Sequence, residues 1–139
     1  MNNTVFFWPA FVLVLLTISV MLRMLSTRIA QMKANKIHPQ SISTSIELLA
    51  KMPDTRVSDN FRNLFETPIL FYTALLFATV TQQTSPLLIA LAWLYVGLRV
   101  IHSLIQCSYN KVMHRFYVFL TSVAVLMALW ISMAMSILK

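Results

Sequence analysis

The length of its uncharged, apolar intervals is the feature that most restricts how this chain can fold. No charged side chain occurs in residues 1–22, 67–98 or 116–138. About 20 apolar residues suffice for a helix to cross the hydrocarbon core of a bilayer. Of the whole chain, 58% is hydrophobic and only 11% is charged, whereas an average soluble domain has about 25% charged residues. The sequence therefore predicts an integral membrane protein rather than a soluble globular one.

The interval 67–98 contains two crossings, because it is much longer than a single span needs. Polar residues at 81–85 interrupt it, and Pro86 suits the first position of a new helix. No Lys or Arg precedes the first interval and no small-residue cleavage pattern follows it, which favours a retained helix over a signal peptide. We predict an all-α integral membrane four-helix bundle, a single domain over residues 1–139. Its spans are expected at about 5–25, 60–81, 86–107 and 115–138.

The one long connection, at about residues 23–59, separates the first two spans. The cations at its start have near-helical spacing, so we expect the first helix to continue into water until His38 and Pro39 end it. Further on, Ile46, Leu49 and Met52 fall on one face of a short amphipathic helix. Such a helix is expected to lie at the membrane interface.

The cationic residues predict the orientation of the bundle, because Lys and Arg are retained on the cytoplasmic side of a membrane. The second connection has none, and Lys139 stands alone at the carboxyl end. The first and third connections are therefore expected in the cytoplasm, and both termini on the opposite side. These two connections carry Arg23, Arg28, Lys33, Lys36, Lys51, Arg56, Arg62, Lys111 and Arg115.

Polar side chains recur at helical spacing within spans two and three. Asp59, Asn63 and Glu66 follow an i, i+4, i+7 pattern, and Arg62 is one turn from both acidic residues. Ionisable groups in a membrane are costly and usually face partners inside the bundle. We therefore expect both sets of polar residues to meet in the cytoplasmic half of the bundle. The stripe in span three comprises Tyr95, Arg99, His102, Gln106 and Tyr109.

A cluster of this kind suits an anionic ligand, because Arg binds carboxylates through paired hydrogen bonds. We expect Arg99 and His102 to contact Asn63 or Glu66 of span two. Simpler interpretations stay open: Arg62 and Glu66 as a structural ion pair, and His102 as an interior residue. Three His and one Cys form no metal-binding spacing, so no metal site is expected. The net charge of +7 is concentrated at span ends, which indicates membrane lipid and not nucleic acid as its partner.

Three segments resemble the MAPEG family, the membrane-associated proteins in eicosanoid and glutathione metabolism, and especially a bacterial branch. Residues 60–72, with the sequence Asn-Phe-Arg-Asn-Leu-Phe-Glu-Thr-Pro-Ile-Leu-Phe-Tyr, are similar to the second helix of that branch. Residues 98–103 and 110–115 are similar to its third and fourth helices. With the four-span hydropathy, the order and spacing of these motifs extend the resemblance over essentially the whole chain.

The resemblance implies a homotrimer of the bacterial inner membrane that binds glutathione between protomers near the cytoplasmic face. Its activity would be that of a glutathione-dependent transferase or peroxidase acting on lipophilic electrophiles or hydroperoxides. Arg115 would be the catalytic residue that activates the thiol, and Arg23 or Arg28 of the first helix would contribute a further contact. The implied cofactor contacts are Arg62, Asn63, Glu66, Arg99 and His102.

Two other functions, a small transporter subunit and a non-catalytic membrane scaffold, remain open. Transporters are expected to place an ionisable group or a broken helix near mid-membrane, whereas the charges here cluster toward one side. Asp59 stands where glutathione-using members of the family generally have an arginine, and Gln106 where they often have a tyrosine. Asp59 in particular keeps open the alternative of a scaffold that has kept the fold and lost the chemistry.

Overall fold

The computed structural model describes residues 4–52 and 54–138, and every regular element in these ranges is helical. Lys139, used above for orientation, and the first three residues of the predicted domain lie outside the described residues. A 3₁₀ turn, Pro39–Ile42, precedes the second α-helix. The α-helices are α1 (Phe7–Ala34), α2 (Ser45–Lys51), α3 (Arg56–Asn63), α4 (Thr67–Val80), α5 (Pro86–Cys107) and α6 (Val112–Ile137).

Four helical segments are long and apolar enough to cross a membrane, which confirms the all-α, four-span architecture. They are Phe7–Ala34, Arg56–Val80, Pro86–Cys107 and Val112–Ile137. As expected, α1 continues well beyond the first predicted span, but it ends at Ala34 rather than at His38. Lys36 in the turn that follows adopts a φ of 52°, in the left-handed region. The chain therefore leaves the helical conformation before it reaches Pro39.

The second span is two helices, α3 and α4, and the prediction of one continuous helix is wrong. Pro68 lies in the first turn of α4 and has no N–H to pair with the carbonyl of Leu64. The chain accordingly leaves the α-helical conformation over residues 64–66. The expected i, i+4, i+7 face fails for the same reason, since Glu66 does not belong to the helix that carries Asp59 and Asn63.

Helix α5 occupies the centre of the bundle, packing most extensively against α6 and also against α1 and α3, while α4 packs on α6. Tyr95 of α5 stacks on Phe71 of α4 with ring centroids 4.5 Å apart, and both rings are fully buried. Large apolar side chains such as Val80 and Leu104 cover much of the outer surface. An exposed apolar surface on a spanning bundle is the surface that lipid contacts.

Helix α2 begins with a capping box in which Thr44 and Glu47 each bond the other's backbone N–H. The backbone N–H of Thr44 and the neighbouring hydroxyls stabilise the carboxylate and lower the pKa of Glu47. The short helix confirms the sequence prediction, but its apolar face is divided. Ile46 and Leu49 are exposed, whereas Met52 is buried in the bundle.

Candidate functional site

The polar stripe of α5 faces the interior of the bundle and meets span two, as its sequence predicts. Tyr95, Arg99, His102 and Gln106 are at most 2% exposed. The hydroxyl of Tyr95 donates to Oγ1 of Thr67 at 3.2 Å. The fifth expected member does not belong to the stripe: α5 ends at Cys107, so Tyr109 lies past the helix and is 61% exposed.

Arg99 is the largest fully buried side chain of the bundle, and it is anchored at the break in span two. Its Nη2 donates to the carbonyl oxygen of Asn63 at 2.9 Å. That carbonyl is available because α3 ends at Asn63. The guanidinium carbon also lies 5.7 Å from the ring centroid of Phe119. Within the described residues, Nε and Nη1 of Arg99 are buried and have no hydrogen-bond partner.

Side-chain amides connect α3 to α5 between Arg99 and the carboxyl end of α5. Nδ2 of Asn63 donates to Oε1 of Gln106 at 3.2 Å. One turn earlier, Oδ1 of Asn60 accepts from Ser103 and its Nδ2 contacts Sγ of Cys107, each at 3.3 Å. Sequence reasoning missed this second connection. Its signal was the spacing, since Asn60 is three residues from Asn63 and Ser103 is three from Gln106.

A cavity of about 200 Å³ lies between α3, α5 and the start of α6, and we refer to it as the site cavity. Three of the sequence-predicted residues, Asn63, His102 and Arg115, line it together. Nδ1 of His102 is buried without a partner in the described part of the chain. The remaining lining residues are Val112, Phe116 and Phe119.

Arg115 is held at the mouth of the site cavity by the turn before α6. Its Nη1 donates to Oδ1 of Asn110 at 2.9 Å, and Asn110 adopts a left-handed φ of 49°. Arg115 lies in the first turn of α6, where the positive end of the helix dipole adds to its own charge. This part of the cavity is therefore strongly favourable for an anion.

Two predicted contacts, Arg62 and Glu66, do not line the site cavity, and both are exposed. The two side chains do not form the structural ion pair considered above. Among the described residues the only salt bridge joins Arg56 to Asp54 at 2.8 Å. The break after Asn63 separates Arg62 from Glu66, since both would need one continuous helix to be neighbours.

The basic residues of α1 also lie away from the site cavity. Nη2 of Arg23 donates to the carbonyl oxygen of Cys107 at 2.8 Å. Nη2 of Arg28 lies 3.5 Å from Oγ of Ser58. Arg23 thus fastens α1 to the end of α5, whereas the longer contact of Arg28 with α3 is weak.

The site cavity combines cationic donors with an aromatic wall. Phe116 and Phe119 contribute that wall, and Phe116 is exposed on the outer surface of the bundle. Sequence reasoning missed both aromatic residues, although each is within one turn of Arg115 on α6. The arrangement places groups that suit an anion next to an apolar wall that reaches the outer surface.

A sequence model described as the MAPEG family matches residues 6–135. No curated protein and no solved structure matches the chain. The matched range includes every residue that lines the site cavity.

Proposed function

Because the chain belongs to the MAPEG family of membrane proteins, we propose that it is a glutathione-dependent transferase or peroxidase acting on lipophilic electrophiles or hydroperoxides. The main support for this proposal is that Asn63, His102 and Arg115 line one cavity, with Arg99 buried next to it. Glutathione has carboxylates, amides and a thiol, and these are groups that guanidinium and amide side chains bind. When bound, it would supply the thiol that is conjugated to, or oxidised by, the lipophilic substrate.

The unpaired donors of the site support an acidic ligand. Nε and Nη1 of Arg99 are buried without partners in the described chain, and so is Nδ1 of His102, which donates in one of its two neutral tautomers. A buried polar group left unsatisfied costs about 1–3 kcal/mol, and a charged one more. A carboxylate that reached these donors would recover this free energy, and Arg binds carboxylates through two parallel hydrogen bonds.

Arg115 would stabilise the ionised thiol. An unperturbed thiol has a pKa of about 8.5, and each unit of lowering corresponds to about 1.4 kcal/mol of preferential interaction with the anion. Arg115 combines a fixed charge with the start of α6, and its contact with Asn110 holds the guanidinium at the cavity mouth. The thiolate is the reactive form, so this interaction would raise reactivity at neutral pH.

The size of the site cavity supports a ligand shared between protomers. Pockets that enclose a small molecule have volumes of about 300–1,000 Å³, whereas the single chain offers about 200 Å³. A neighbouring protomer in a homotrimer would complete the enclosure. Glu66 is exposed beside the break in span two, and we assign it a contact with glutathione across this interface. Arg62 faces another cavity, so the proposal does not depend on it.

The apolar side of the site supports a substrate from the membrane. Phe116 is half exposed on the surface that lipid would cover, so a lipophilic molecule could reach the cavity without crossing water. The cation distribution supports an orientation in which the cavity is near the cytoplasmic face and both termini are on the opposite side. The resemblance to a bacterial branch suggests the inner membrane as its location.

One observation favours the second candidate, a small transporter subunit. Span two is broken at residues 64–66, and discontinuous spanning helices form binding sites in transporters. The break is near the predicted cytoplasmic end of the span, however, and mid-membrane is where a transporter site is expected. The enzyme therefore remains the better-supported proposal.

Titration of the detergent-purified protein with glutathione, followed by thiolate absorbance, tests the proposal. We expect a saturable thiolate signal at neutral pH. S-Methylglutathione has no free thiol, so it should give no thiolate signal itself and should abolish the glutathione signal by competition. Absence of a saturable signal would contradict the glutathione chemistry.

A further inference from the structure

A second cavity, of about 380 Å³, lies between the end of α1, the segment around α2, and α3. We refer to it as the loop cavity. Its volume is nearly twice that of the site cavity, and the two share no lining residue. Two guanidinium groups line it, Arg28 from α1 and Arg62 from α3, together with the single carboxylate of Asp59.

The two arginines of the loop cavity keep most of their hydrogen-bonding capacity. Nε of Arg28 is buried without a partner in the described chain, and its Nη2 is 3.5 Å from Ser58, the longest distance for a hydrogen bond. The side chain of Arg62 makes no hydrogen bond within residues 4–52 and 54–138. Asp59 accepts a hydrogen bond from Thr55 at 2.8 Å and forms no salt bridge with either arginine. The charges of both guanidiniums are therefore available to an anion.

The other residues that line the loop cavity indicate which kind of anion it binds. Ser45 and Ser58, which carry hydroxyls, line the cavity together with the arginines, and Leu48 and Leu49 contribute apolar side chains. Guanidinium forks and hydroxyls are the groups that bind tetrahedral phosphate oxygens. We infer that the loop cavity binds a phosphate group, carried by an anionic lipid headgroup or by a free phosphate ester.

The position of the cavity is compatible with both sources of phosphate. It lies among the cations of the first connection, the side predicted to face the cytoplasm and its anionic lipids. Leu49 lines it and is exposed, and Ile46 in the next turn is 80% exposed, so a lipid could place its glycerol and acyl groups there. A soluble phosphate ester would reach the same donors from water.

Isothermal titration of the full chain in neutral detergent tests the inference with two probes, glycerol 3-phosphate and dihexanoyl phosphatidylglycerol. We expect saturable binding of at least one probe with one site per chain. Arg28→Gln and Arg62→Gln should each weaken it at least tenfold. The matched control Lys33→Gln removes the same charge from α1 outside the cavity and should change affinity less than twofold. Ser45→Asp, at an exposed helix start, adds a carboxylate to the cavity and should also abolish binding.

The two probes distinguish the sources of phosphate. Saturation by the lipid alone identifies a headgroup, and equal affinity for glycerol 3-phosphate identifies a free ester. Three results would overturn the inference: no saturable binding of either probe, equal loss in Lys33→Gln and the arginine variants, or displacement of the bound probe by glutathione. The last would make the loop cavity part of the glutathione site.

Discussion

At the scale of single residues, Arg99 is unusual because only one nitrogen of its guanidinium group donates a hydrogen bond to the protein. The other two are buried and have no partner within the described residues. A hydrogen bond to a charged group contributes about 1.5–3 kcal/mol, and an unsatisfied buried polar group costs about 1–3 kcal/mol. Because two donors lack partners, their combined cost of about 2–6 kcal/mol matches or exceeds the contribution of the one bond in the ligand-free chain. Arg99 is therefore expected to matter little for folding and much for binding.

Replacement of Arg99 by Met tests this balance. The side chains have similar length, so Arg99→Met should leave the thermal unfolding midpoint of the ligand-free protein in detergent unchanged or raise it. The upward shift that glutathione produces in the wild type should disappear. Leu98→Met, the neighbouring substitution, should keep that shift. A large fall of the ligand-free midpoint in Arg99→Met alone would show that Arg99 is structural.

Arg115 is expected to stabilise the thiolate and to be unnecessary for the fold. Arg115→Ala should abolish the thiolate absorbance and leave the far-ultraviolet circular dichroism unchanged, because Asn110 is the one hydrogen-bond partner of this side chain within the described residues. Arg115→Lys keeps the charge without the planar fork and should restore part of the signal. Lys111→Ala, which removes a cation at the same membrane face, is the matched control. An unchanged signal in Arg115→Ala would reduce this residue to a membrane anchor.

The sequence identified the residues of the site better than it identified their partners. Asn63 and His102 could be predicted because an ionisable or amide group in an apolar span must face a polar interior. Arg115, at a span end, could be predicted only from the family resemblance. The partner of Arg99 could not, because it is a backbone carbonyl, which every residue has. Arg62 and Glu66 were expected on one face by helical spacing, and the helix does not continue between them.

At the scale of elements, the uncharged intervals predict the spans, because hydrocarbon excludes charge and demands helix. The four segments agree with these intervals, including the junction at Pro86. The break in span two had a local signal, the missing N–H of Pro68. Hydropathy does not register such a break, since the apolar run continues across it. The break leaves the carbonyl of Asn63 without a helical partner. Its contact with Arg99 depends on how α3 packs against α5, and this packing cannot be predicted from the sequence.

Pro68→Ala tests whether the break positions the site. An N–H at position 68 could pair with the carbonyl of Leu64 and favour one continuous helix. The Asn63 carbonyl would then move away from Arg99, and loss of a charged hydrogen bond should weaken glutathione binding about tenfold or more. Thiolate titration and amide exchange at residues 64–68 measure the two effects. Pro86→Ala at the start of α5 should change neither, and wild-type affinity in Pro68→Ala would contradict the argument.

At the scale of the whole molecule, the cation distribution predicts which connections face the cytoplasm. A single Cys introduced at Thr81 or at Ser45 in a Cys107→Ser background tests it with a membrane-impermeant maleimide. We expect Thr81→Cys to react in intact spheroplasts and Ser45→Cys to react only after lysis. Both positions are exposed in the bundle, so unequal labelling reports the side of the membrane. The opposite pattern would invert the orientation and place the site cavity on the outer face.

The proposed site between protomers requires a homotrimer, because the cavity in one chain, about 200 Å³, is smaller than pockets that enclose a small molecule. Light scattering in detergent should give three times the mass of one chain. Glu66→Gln and Arg115→Ala should each lose the thiolate signal when expressed alone. If Glu66 of one protomer and Arg115 of its neighbour form each site, random mixing of the two variants in one trimer should restore about a quarter of the sites, because every interface of a cyclic trimer is head-to-tail. If both residues act within one chain, mixing restores none. If the protein is a trimer and mixing restores no signal, the predicted assembly is correct and the site lies within one protomer. If the protein is a stable monomer, a site shared between protomers is excluded.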